Sequence, residues 1–212
     1  MKKYDKKILF LVNDLSFFCS HRLPIGKAAL QLGMNVVLVT RTSVTHRLIE
    51  SEGIRVVEWN HKRGTLNPWY LCKSLFHLFL IYRNEKPDLV HQVALKPVLM
   101  GGIVARFLGI RSQINAIAGL GLINTSSELF PRLLRFAVVW LLKKLLMHGI
   151  SIVQNHADFR MVESFGIPSS QIKLIRGSGV DLEVFRPAPH IQNNIPVVML
   201  VSRMLRPKGI LQ

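Results

Sequence analysis

Asn13, Ser20, His21 and Arg22 fall together just after the first apolar run of the chain, Ile8–Val12. An arginine beside the first turn of a helix adds a fixed cation to unpaired backbone N–H groups, which suits an anionic ligand. A capped helix with a solvated arginine fits the same residues. His91 closes the strand read at Pro87–His91, and Lys96–Pro97 opens the helical stretch after it. A histidine at the carboxyl end of a strand would face the same crevice, although an isolated one is more often structural. Other chemistries lack their residues. Neither G-x-G-x-x-G nor G-x-x-x-x-G-K-[ST] follows the first strand, so neither a standard dinucleotide site nor a P-loop is expected. No His/Cys group has metal-ligand spacing, so no metal cage is expected. No G-x-S-x-G turn marks a hydrolase.

The elements that must hold these residues alternate. Strands are expected at Ile8–Val12, Asn35–Thr40, Ile54–Glu58, Pro87–His91, Arg111–Ile117, Ile150–Val153 and Ile172–Ile175. Helices are expected from about Ser20 to Gly33, then at 43–52, 67–85, 97–108, 131–147 and 157–165. Ser20 reads as the first helix's N-cap, and Ile25, Ala28, Ala29 and Leu32 as its apolar stripe. Continuous apolar strands alternating with helices predict a doubly wound, Rossmann-like α/β domain with a parallel sheet. Ligands of such sheets bind at the strands' carboxyl ends. Residues 1–186 form this domain. Pro187–Pro196 reads as a linker, and 197–212 as the start of a second domain led by a strand, Val197–Val201. Cys19 and Cys72 have no motif spacing and read as reduced, mostly buried thiols of a cytosolic protein.

The formal charge is +16 over 212 residues. Nucleic acid, an anionic membrane surface and phosphorylated small molecules all suit it. No nucleic-acid motif is present, so that partner is not expected. No signal peptide and no apolar run of spanning length is visible, so a soluble or peripheral protein is expected. The helix at 131–147 carries a stripe of Leu134, Ala137, Val138, Leu141 and Leu145. Arg132, Arg135 and Lys143 gather on another face beside Phe136 and Val139. That face fits a membrane interface; a core helix with basic ends is the plainer alternative.

Six stretches in order resemble the family 4 glycosyltransferases of the GT-B fold, especially bacterial polysaccharide enzymes. They are Lys7–Asn13 with Ser20–Pro24, Pro87–His91 with Lys96–Pro97, Ile117–Gly121, Ile152–Asn155, Gly177–Asp181 with Phe185–Pro187, and Val201–Gly209. Ser178 stands where Asn is usual and Ser202 where Gly is usual. The resemblance implies that this chain is the N-terminal half of a two-domain, retaining hexosyltransferase, truncated just inside its second, nucleotide-sugar-binding domain. The intact enzyme would use a nucleotide-sugar donor and a glycan or polyprenyl-diphosphate-linked acceptor in cell-surface polysaccharide synthesis. Arg203 and Lys208 would hold the donor diphosphate, and no cofactor or metal would be needed. Asn13, His21, Arg22, His91, Lys96, Gly119 and Gly121 would line the acceptor side. The loop Asn115–Gly119 has no histidine, so no catalytic residue is assigned there, and the family's paired glutamates fall beyond Gln212. The chain alone is expected to be inactive. Its place would be the cytoplasm, peripheral on the inner face of the plasma membrane. The alternatives are a truncated remnant that only binds membrane or acceptor, and a sugar-nucleotide epimerase.

Overall fold

The computed structural model describes residues 5–41, 46–61, 65, 67–117, 132–177, 179–183, 185–187 and 198–201. The first strand, β1 (Lys7–Val12), explains the architecture. It is apolar at five successive positions because both its faces are covered. Ile8, Phe10 and Val12 pack into one cluster with Leu15 and Phe18. Leu9 and Leu11 pack into another with Leu78, Ile81 and Tyr82. Full burial of a side chain such as Phe10 contributes about 2–3 kcal/mol.

Seven strands form one parallel sheet in the order β3-β2-β1-β4-β5-β6-β7. They are β1, β2 (Asn35–Thr40), β3 (Arg55–Glu58), β4 (Leu89–Val93), β5 (Gln113–Ile117), β6 (Ile150–Val153) and β7 (Ile172–Leu174). The helices are α1 (Leu15–His21), α2 (Leu23–Gln31), α3 (His46–Glu50), α4 (Pro68–Glu85), α5 (Leu95–Phe107), α6 (Arg132–Leu146) and α7 (His156–Ser164). Right-handed crossovers put α1 and α2 on one face and α4, α5, α6 and α7 on the other. The doubly wound, Rossmann-like expectation therefore holds. Side-chain caps start three helices: Asp14, Asn67 and Asn155 accept from the backbone N–H of Ser16, Trp69 and Asp158. Such caps contribute about 1 kcal/mol each.

Several local expectations change. Asp14 starts a helix at Leu15, so Ser20 is no N-cap; its hydroxyl donates to the Ser16 carbonyl at 2.8 Å. The helix breaks at Arg22 and restarts with a new phase. Gly26 and Ala29 then face the core, while Ile25 and Leu32 are exposed. Small residues win that face because the approach is close: a Cβ at Gly26 would lie 3.0 Å from Ile54 and 3.2 Å from Phe18. On α6 Leu145 of the expected stripe is buried, but its buried neighbours are Leu142 and Leu146; Val138 and Leu141 are half-buried and Ala137 is exposed. β4 begins two residues late and runs past His91 to Val93, so His91 is mid-strand. Cys72 is exposed rather than buried, and Cys19 is half-buried. Residues 198–201 carry no strand. Among the described residues no neighbouring strand offers them a ladder, and a strand without one is not stable.

The chain divides into two compact units, Met1–Ser178 and Gly179–Gln212. The first holds the sheet. In the second, the Asp181 side chain accepts from Glu183 N–H at 2.9 Å and its carbonyl from Phe185 N–H at 2.8 Å, forming an exposed turn.

Candidate functional site

The strand order reverses between β1 and β4, which places the ligand crevice where both strands end. Two groups of residues meet there. The first pairs Arg22 with His91. Arg22 occupies the break between α1 and α2, is only 8% exposed, and donates to the His21 carbonyl at 3.2 Å. Burial lowers its pKa. His91 is 3% exposed, and its ring lies 5.1 Å from that of Phe10. Burial, and then the positive charge of Arg22, lower its pKa to about 4. At neutral pH it is therefore an uncharged imidazole, with a buried Nε2 that has no hydrogen-bond partner.

The second group joins the ends of four strands. Arg41 follows β2 and pairs with Asp14, after β1, at 3.7 Å. His61 follows β3, is buried, and stacks on Trp59 at 4.1 Å. Its Nδ1–H donates to the Trp59 carbonyl at 3.2 Å. Burial lowers its pKa first of all; Lys96 and Arg41 lower it further, against the Trp59 carbonyl and Asp14. Lys96, in the first turn of α5, is half-buried, and desolvation lowers its pKa. Asn13 follows β1 with a buried Oδ1 that lacks a partner.

The crevice thus collects Arg22, Arg41 and Lys96 around uncharged imidazoles, against one carboxylate. Partial burial strengthens the field of each cation. An anion is what this arrangement can hold. The amino-terminal N–H groups of α5 add to it, since Ala94 caps that helix without a side-chain bond. Ala94 itself sits at φ 79°, ψ 162°. That conformation belongs almost solely to glycine, and an alanine held there stores about 1–3 kcal/mol. Replacing Ala94 by Gly should raise stability by about 1 kcal/mol, after the added freedom of the unfolded chain is subtracted. Urea unfolding midpoints of the two proteins check this.

Of the residues predicted from sequence, the structure brings Asn13, Arg22 and Lys96 to the two strand ends. His91 lies beneath the crevice rather than lining it, because β4 continues past it. His21 is on the exposed side of α1, stacked on Phe17 at 4.4 Å. Gly119, Gly121, Arg203 and Lys208 lie outside the described residues. Arg41 and His61 join the site without having been expected there, although each follows a strand that is legible in the sequence. Among the described residues no group of three His, Cys, Asp or Glu could hold a metal ion.

The profile of the family described as "Glycosyl transferase 4-like" matches residues 7–147. The chain belongs to this family. A curated relative in Campylobacter jejuni is 26% identical over 221 residues. It is an N,N'-diacetylbacillosaminyl-diphospho-undecaprenol alpha-1,3-N-acetylgalactosaminyltransferase. The match takes in 96% of this chain but only 58% of the relative, so the chain spans little more than half of its length. Two solved structures share the fold. A glycosyltransferase from Rickettsia africae has a TM-score of 0.62 at 17% identity, over 98% of this chain and 55% of that one. The UDP-GlcNAc 2-epimerase of Methanocaldococcus jannaschii has a TM-score of 0.55 at 16% identity, over 82% and 46%. A glycosyl transferase 4-like chain and a nucleotide-sugar epimerase are thus built on one Rossmann-like frame.

Proposed function

We propose that this chain is the acceptor-side part of a retaining glycosyltransferase that moves a sugar from a nucleotide-sugar donor to a polyprenyl-diphosphate-linked glycan. The cationic crevice carries this proposal. A diphosphate-linked acceptor is a compact dianion; Arg41 and Lys96 are cations that follow β2 and β4, and Arg22 is a third at the break between α1 and α2. The Campylobacter relative's name contains such an acceptor, a diphospho-undecaprenol sugar. Asn13 and the loop with Gly119 and Gly121 complete the acceptor side, and His91 packs on Phe10 beneath the crevice. Arg203 and Lys208 bind the donor diphosphate. As the sugar bond breaks, the departing nucleotide gains negative charge, and two fixed cations stabilise it without a metal.

In a protein that includes the full donor side, Lys208→Ala should lower turnover on the order of 100-fold, as loss of one fixed transition-state charge does. The acceptor KM should stay near its original value. Unchanged turnover would remove Lys208 from this role. The fold is also that of an epimerase. Recovery of an altered nucleotide sugar, with no sugar on the acceptor, would favour that second activity.

In this proposal the enzyme acts at the inner face of the plasma membrane, where a lipid-linked acceptor and a nucleotide-sugar donor would meet. No described helix is long and apolar enough to cross one. Arg132, Arg135 and Lys143 on α6 provide the membrane-facing charge in this proposal. Lys143 is exposed.

A further inference from the structure

We infer that α5 and α6 form a docking site for anionic phospholipid, with a headgroup cavity at the amino edge of the sheet and an apolar groove beside it. This rests on the membrane part of the proposed function and assigns it to different residues. The cavity, about 510 Å³, is lined by Arg106, Arg111, Gln113 and His148 among others. It lies where α5 ends and β5 begins, away from the crevice. Arg106 donates to His148 Nε2 at 2.8 Å, and His148 Nδ1 lies 3.2 Å from the Lys144 carbonyl. The imidazole so fixed holds the guanidinium at the rim of the cavity.

Arg106 also borders the neighbouring groove, about 540 Å³, with Phe107, Trp140, Leu141 and Lys144. Phe107 is 79% exposed, Trp140 55% and Phe136 72%. The Lys144 ammonium lies 6.0 Å from the Trp140 ring. Phe107 meets Phe79 edge-on at 5.7 Å, and Phe79 stacks on Phe76 at 6.4 Å, so the aromatic surface runs on to α4. Exposed aromatics rimmed by lysine and arginine are the composition of an interfacial surface. Among the described residues no salt bridge joins Arg106, Arg111 or Lys144 to a carboxylate, and no Asp or Glu occurs at 95–117 or 132–157. The cations of this face await an external anion, and the aromatics beside them specify one attached to an apolar layer. A bilayer lying on the helical layer also leaves the crevice at the strand ends open.

The test is sedimentation of the purified chain with vesicles of phosphatidylcholine, with and without phosphatidylglycerol. The chain should bind the anionic vesicles and leave the neutral ones. Arg106→Ser with Arg111→Ser should weaken partitioning about 25-fold, at roughly fivefold per basic side chain. Phe107→Ser with Trp140→Ser should weaken it by at least about tenfold. Lys173→Ser with Arg176→Ser removes the same charge from β7 and the segment after it, and should change binding no more than about twofold. The site is overturned if this control loses as much as the Arg106/Arg111 pair, or if neutral vesicles bind equally. It is also overturned if glycerol phosphate at matched concentration releases the chain, which would mark a pocket for a soluble phosphate. A water-soluble, short-chain prenyl-diphosphate acceptor separates the two proposals. With the full donor side present, the Arg106/Arg111 variant should transfer sugar to it normally. No transfer even by the native protein would sink the transferase activity while the vesicle result stood.

Discussion

Lowering the pH from 7 to 4 should cost the domain ~3 kcal/mol through His91 alone. The folded imidazole has its pKa lowered from 6.5 to about 4, by burial and then by Arg22. A gap of this size corresponds to ~3 kcal/mol. The direction follows from which state takes up the proton. Between pH 6.5 and 4 the unfolded chain protonates its histidine and the folded chain does not. The contribution is therefore fully present above 6.5 and is lost as the pH falls through this window. His61, also lowered by burial, acts in the same direction. In His91→Gln the difference in unfolding free energy between pH 7 and 4 should shrink by roughly the same ~3 kcal/mol. Urea denaturation at the two pH values measures it. An unaltered pH dependence would mean that His91 is solvated rather than buried.

Gly149→Ala should destabilise the fold by about 4 kcal/mol, combining backbone strain with overpacking. Gly149 has φ 120°, and a Cβ there would lie 2.3 Å from the Gln113 carbonyl oxygen. That neighbour is backbone of β5 and cannot turn aside. Gly109 offers the contrast: it has φ 70°, and a Cβ there would meet nothing within 4 Å. Gly109→Ala should cost only about 1 kcal/mol, the strain of the left-handed backbone alone. Thermal unfolding of the two variants checks the difference. Gly149 follows His148, so its close approach to β5 also brings that imidazole over Arg106. A Gly149→Ala protein that still folds should bind anionic vesicles more weakly than native protein.

The strands are legible in the sequence because β1 and β2 are buried on both faces and read as apolar runs of strand length, and β5 and β6 keep that reading with single polar interruptions at Asn115 and Ser151. Asn67–Pro68 announces α4 in the same direct way. The break at Arg22 is hidden. Ser20 and Pro24 suggest one helix start, and Asp14, the actual cap, looks like part of a polar loop. The buried face of α2 is not the one its large apolar residues suggest, because apolar size is a poor guide where Gly26 and Ala29 make the closest approach. His91 reads as the end of β4 only if Pro87 and Asp88 are counted into the strand; the ladder starts later and carries His91 below the crevice. Arg41 and His61 are hidden for a different reason. Each is unremarkable in its own stretch and acquires meaning only when β2 and β3 align with β1. The conformation of Ala94 has no sequence signal, since nothing in Val93-Ala94-Leu95 announces a positive φ.

Transfer of labelled sugar most directly tests the central claim. The protein with its full donor side would be given a panel of radiolabelled nucleotide sugars and a polyprenyl-diphosphate-linked acceptor, and label would be followed into the organic phase. Transfer is expected from at least one donor, and its loss is expected when Arg22, Arg41 and Lys96 are together replaced by alanine. Absence of organic-phase label with every donor, or transfer undiminished in the triple variant, would contradict the assignment of this chain as the acceptor side of a glycosyltransferase.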